Sequence, residues 1–71
     1  MNDKKLIQIQ NYLNNLFDTE NLVLKKRKNI EDSLEIYIKD EFLGLIYEEI
    51  DENEKAYQFH MTILDDDLKN E

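Results

Sequence analysis

One histidine, one glycine and no cysteine bound the chemistry open to this 71-residue chain. His60 is the single side chain whose ordinary pKa lies near neutrality. No Ser/His/Asp spacing accompanies it, so general-base or nucleophile-activating work has no sequence partner. Without cysteine, disulfides and thiolate metal sites are excluded. A single glycine excludes a glycine-rich phosphate loop. Carboxylates are abundant, and their abundance makes any one pair uninformative. Glu48-Glu49-Ile50-Asp51-Glu52-Asn53-Glu54 offers the oxygens a calcium loop needs. However, Asp51-x-Asn53 runs into Lys55, and no glycine supplies the sharp turn. The segment reads as a solvated acidic loop. Asp65-Asp66-Asp67 reads as a cap and solubilising group at the start of a short helical turn. These residues predict no enzyme, no metal and no cofactor.

The remaining charged feature is basic. Lys25, Lys26, Arg27 and Lys28 form a run suited to a phosphate or an acidic partner. On a strand, alternate members point to opposite faces, so the run reads first as a solvated strand end that protects an edge. The net charge is −8, with residues 1–30 holding six Lys/Arg against three Asp/Glu and residues 31–71 three against fourteen. That balance argues against general nucleic-acid or anionic-membrane binding. No apolar run approaches the roughly 20 residues of a membrane span, and no signal-peptide pattern follows Lys4 and Lys5. The expected location is the cytoplasm, and the expected domain count is one, over residues 1–71.

The elements that position these residues follow from periodicity. Leu6, Ile9, Leu13, Leu16 and Phe17 recur at helical steps, with Tyr12 at the stripe's edge. Lys4, Gln8, Asn11 and Asn15 lie opposite, and Asn2 or Asp3 serves as N-cap. Asp18 to Asn21 has turn composition. Leu22-Val23-Leu24 starts a first strand that runs into the basic cluster, and Asn29 to Ser33 reads as a polar turn. Leu34 to Lys39 and Phe42 to Tyr47 alternate as strands two and three around a two-residue Asp40-Glu41 turn. Strand four runs from Lys55 to Leu64. Short connections predict an antiparallel meander. The fold class is therefore α+β: an N-terminal amphipathic helix on one face of a four-stranded antiparallel sheet (α-β-β-β-β), with a short C-terminal helical turn.

The hairpin register pairs Lys39 with Phe42, Ile38 with Leu43, Tyr37 with Gly44 and Ile36 with Leu45. One face then holds Leu34, Ile36, Ile38, Leu43, Leu45 and Tyr47, and the other Glu35, Tyr37, Lys39, Phe42, Gly44 and Ile46. Gly44 makes room for the Tyr37 ring. Tyr57, Phe59, Met61 and Ile63 point at the helix, and Gln58, His60, Thr62 and Leu64 point away. The uncovered face thus carries Tyr37, Phe42, Ile46 and His60, with Thr62 and Val23 beside them, as a contiguous partner-binding patch.

Asp40-Glu41-Phe42-Leu43-Gly44 and Tyr57-Gln58-Phe59-His60-Met61-Thr62-Ile63-Leu64-Asp65-x-Asp67-Leu68 resemble a family of short alphaproteobacterial proteins known as a domain of unknown function. The likeness extends to the helix through Tyr12-Leu13 and Leu16-Phe17. The family's pattern reads Asp-Glu-Phe-Ile-Gly and Phe-Gln-Met-Ala-Ile-Leu-Asp. This chain departs from it at Leu43, His60 and Thr62, and the His60 departure weakens a catalytic role for that residue. The resemblance implies no activity and no cofactor.

A domain this small has a thin stability margin, and a second copy is the support its composition leaves open. The leading expectation is a non-enzymatic protein-interaction module acting as a homodimer through the uncovered face or a sheet edge. The alternative is a small RNA-binding module using Lys25 to Lys28, with Tyr37 and Phe42 as stacking platforms. An enzyme ranks third.

Overall fold

The computed structural model describes residues 1–69. Helix α1 spans Asp3–Leu16, and strands β1 (Leu22–Arg27), β2 (Ile30–Ile38), β3 (Glu41–Asp51) and β4 (Glu54–Met61) follow. They form one antiparallel sheet in the order β1-β2-β3-β4. A short 3-10 turn, Asp65–Leu68, comes last. The expected α-β-β-β-β meander is therefore the observed one.

The N-cap of α1 is Asn2, whose side chain accepts from the Lys5 N–H at 2.8 Å. Asp3 sits in the first turn, where a carboxylate suits the helix dipole, and pairs with Lys26. The chain leaves the helix through Phe17 and turns at Asp18 in the left-handed region. The core is Leu13 of α1 with Leu22 and Leu24 of β1, Leu34 and Ile36 of β2, and Ile46 of β3. Leu6, Ile9, Ile38, Leu43 and Tyr57 pack around it.

The β2–β3 register corrects the expectation in two steps. Tyr37 pairs with Phe42 and Ile38 with Glu41, so the turn is Lys39-Asp40 rather than Asp40-Glu41. Both turn residues have positive φ (51° and 65°), the signature of a type I′ turn matched to strand twist. The register then shifts, and Ile36 pairs with Gly44, Glu35 with Leu45 and Leu34 with Ile46. Leu43 is the extra residue of this bulge. A one-residue shift inverts which side chains share a face. Ile46, expected on the uncovered face, therefore lies in the core at 2% exposure. Leu45 and Tyr47, expected inside, turn to the other side. Tyr37 and Phe42 lie on the turn side of the bulge and keep their expected face.

Gly44 has a different reason from the one its sequence suggests. Any side chain there would drive a Cβ into the His60 carbonyl, with His60 and Met61 backbone on either side. Three other boundaries move. The first turn is Lys28-Asn29, so β2 begins at Ile30, before the expected start. The acidic segment Glu48 to Glu54 is no loop: β3 and β4 pair through it to a Glu52-Asn53 turn, with both φ positive. Finally, β4 stops at Met61, leaving Ile63 and Leu64 outside the strand and exposed.

Candidate functional site

The face turned away from α1 carries a linked aromatic group. Tyr37 and Phe42 meet edge to face with centroids 5.6 Å apart. Lys25 Nζ sits 4.5 Å from the Tyr37 centroid, a cation–π distance. The Tyr37 hydroxyl donates to Glu35 at 3.0 Å. That carboxylate favours the protonated phenol and holds Tyr37 above the ordinary tyrosine range. On the same side, Tyr47 meets His60 edge to face at 5.2 Å. The structure thus brings Tyr37 and Phe42 together and places His60 beside Tyr47 rather than beside them. Ile46 has no part in this face.

The basic cluster is divided. Lys25 is spent on Tyr37, Lys26 ion-pairs with Asp3 at 2.5 Å, and Arg27 donates to Ser33 at 2.9 Å. The Lys26 ammonium, by hydrogen bond and then by charge, holds Asp3 below the usual carboxylate range. Lys28 stands in the turn. No continuous cationic stripe results, as strand alternation predicts.

Two features of the helix side were invisible to periodicity. Helix α1 lies along the outer edge of β1, and two amides on one flank hydrogen-bond that edge. Asn14 donates to the Leu22 carbonyl and accepts from the Leu22 N–H, both at 3.0 Å. Gln10 accepts from the Leu24 N–H at 3.0 Å. The geometry fits because four helical residues rise about 6 Å, close to the two-residue repeat of roughly 6.6 Å on a strand. The i, i+4 spacing of Gln10 and Asn14 therefore matches Leu24 and Leu22 in antiparallel order. Polar helix positions near an apolar stripe were the only available signal, and solvation explains such positions equally well.

The other flank of α1 opens onto an apolar groove floored by Ile46, Tyr57 and Phe59 and walled by Ile9 and Tyr12. Phe17 meets Phe59 edge to face at 6.4 Å. The Tyr57 hydroxyl is buried and has no hydrogen-bond partner among the described residues. Lys5 Nζ lies 5.8 Å from the Tyr57 ring centroid. Beyond the groove, the outer edge of β4 meets no further strand among the described residues. Among the described residues, no group of three His, Cys, Asp or Glu side chains is placed to hold a metal ion. No described helix is long and apolar enough to cross a membrane.

The model of a family described as "Protein of unknown function (DUF3126)" matches residues 5–67. The chain belongs to this family. The match runs from the first turn of α1 to the 3-10 turn, so it takes in the amide-capped edge, the bulged hairpin and the groove. No curated protein and no solved structure matches the chain. Membership in DUF3126 agrees with the expected resemblance to a domain of unknown function and assigns no activity to any of these residues.

Proposed function

We propose that this DUF3126 member is a non-enzymatic protein-interaction module that acts as a homodimer in the cytoplasm. The observation that carries the reading is its surface. A folded monomer of 8.6 kDa exposes about 4,700 Å² by the usual scaling. This chain exposes 5976 Å². The excess, about 1,300 Å², is more than the roughly 800 Å² one partner gives to a standard interface. Its radius of gyration, 13.3 Å, likewise exceeds the roughly 11 Å of a compact 71-residue domain. That surface includes large apolar side chains: Tyr12, Leu16, Phe17, Phe42, Met61 and Ile63 are each half or more exposed.

The test is the solution mass by light scattering over a concentration series. A dimer at micromolar concentration is expected. A strict monomer up to high micromolar concentration overturns the reading. The RNA-binding alternative keeps one supporting observation, the Lys25, Tyr37 and Phe42 group on the uncovered face. Salt separates the two readings. Two copies that each carry −8 repel, so self-association strengthens as salt rises. RNA binding through phosphate contacts weakens steeply.

A further inference from the structure

We infer that the second copy docks at the outer edge of β4, joining two sheets into one of eight strands; the inference rests on the homodimer reading above. An unpaired strand edge is a template for another strand. This sheet has two edges, and among the described residues only that of β1 is closed. Asn14 and Gln10 occupy the backbone groups of Leu22 and Leu24 on β1, where a neighbouring strand would otherwise bond. On β4 no side-chain hydrogen bond to the strand backbone exists among the described residues.

The asymmetry dictates the symmetry of assembly. Pairing β1 of one copy with β4 of the next would be head to tail and would build a ring or an open filament. The amides on β1 block it. Pairing β4 with β4 uses the same edge twice and closes after two copies. The sheet's faces narrow the register further. Directly opposed residues share a face, so a two-fold pair must join odd positions with odd and even with even. An axis at Gln58, close to the middle of Glu54–Met61, meets this condition. It sets Tyr57 of one copy beside Phe59 of the other, and Lys55 beside Met61. The apolar strip that the groove leaves half open then continues across the axis. The two acidic hairpin tips at Glu52-Asn53 point to opposite ends of the joined sheet, which limits their repulsion.

The natural absence of cysteine makes the axis directly testable. A Gln58→Cys variant places two thiols opposite each other across the two-fold, within reach of a disulfide. Under mild oxidation at a concentration where light scattering shows a dimer, it is expected to cross-link at least about tenfold faster than an Asn15→Cys control on the helix. A Met61→Lys variant is expected to weaken the dimer at least about tenfold, because it sets an ammonium directly opposite Lys55 of the other copy, once on each side of the axis. Circular dichroism checks that the variant keeps its helix. Hydrogen exchange adds a backbone readout: alternate β4 amides directed away from β3 are slow in the dimer and fast after dilution. A dimer that cross-links through Tyr37→Cys and not through Gln58→Cys overturns the β4 edge while leaving the homodimer standing. A monomeric wild type overturns both.

Discussion

Replacing Asn14 separates a structural helix amide from a solvated one. Asn14 makes two hydrogen bonds to Leu22, each 3.0 Å, and Leu22 is 2% exposed. Each bond contributes about 1 kcal/mol net, and a buried group stranded without a partner costs about 1–3 kcal/mol. An Asn14→Ala variant therefore loses about 2–3 kcal/mol at the edge. Against this, alanine recovers about 0.6 kcal/mol of helix propensity. The net expectation is a destabilisation of about 2 kcal/mol, or a melting temperature about 10 °C lower for a chain this size. Asn15 supplies the contrast. It is exposed, so Asn15→Ala should stabilise by up to about 0.6 kcal/mol from propensity alone. The assay is urea denaturation of both variants at one fixed protein concentration, so that self-association contributes equally. An Asn14→Asp variant refines the test. Its carboxylate still accepts from the Leu22 N–H but opposes the Leu22 carbonyl, so stability should recover on acidification as the acid becomes a donor. If Asn14→Ala and Asn15→Ala prove equally stable, the edge-capping argument is wrong.

Other consequences follow from single features. Tyr57→Phe removes a buried hydroxyl that has no partner among the described residues and should raise unfolding free energy by about 1 kcal/mol; a loss in thermal melting would show that the hydroxyl is satisfied. Lys39→Asn with Asp40→Gly relieves two positive-φ residues in the first I′ turn and should stabilise by about 1–2 kcal/mol; destabilisation would return the turn to Asp40-Glu41. Gly44→Ala should cost more than about 2 kcal/mol, because the new methyl meets only backbone at His60 and Met61; amide exchange across β3 and β4 would report the opened ladder. Tyr37 should ionise above the ordinary tyrosine range when its phenolate absorbance is followed upward in pH. Its hydrogen bond to Glu35 is present below the ordinary tyrosine pKa and is lost as pH rises through the elevated value; Glu35→Gln should bring the titration back down.

Periodicity and short connections were enough to determine the helix, the strand order and the meander, and the carboxylates of Asp65 to Asp67 marked the final turn. Of the expected helix stripe, Leu6, Ile9 and Leu13 face the core while Leu16 and Phe17 are exposed. Alternating apolar residues make strands, a 3.6-residue stripe makes one helix, and short connections leave antiparallel neighbours as the simple arrangement. The same alternation placed Tyr37 and Phe42 together. It failed at Ile46, Leu45 and Tyr47 because of the single extra residue at Leu43. Period two carries no memory of an insertion, so every position past the bulge inverts. The acidic stretch from Glu48 to Glu54 was misread for another reason. Its carboxylates disfavour strand locally, and only pairing of β3 with β4 overrides that preference. Which residues are apolar, and at what period, is enough to set a helix on a four-stranded sheet. Which edge of that sheet is open emerges only on folding. That depends on Gln10 and Asn14 meeting Leu24 and Leu22 across the space between helix and strand, a match of two repeats that neither segment shows on its own.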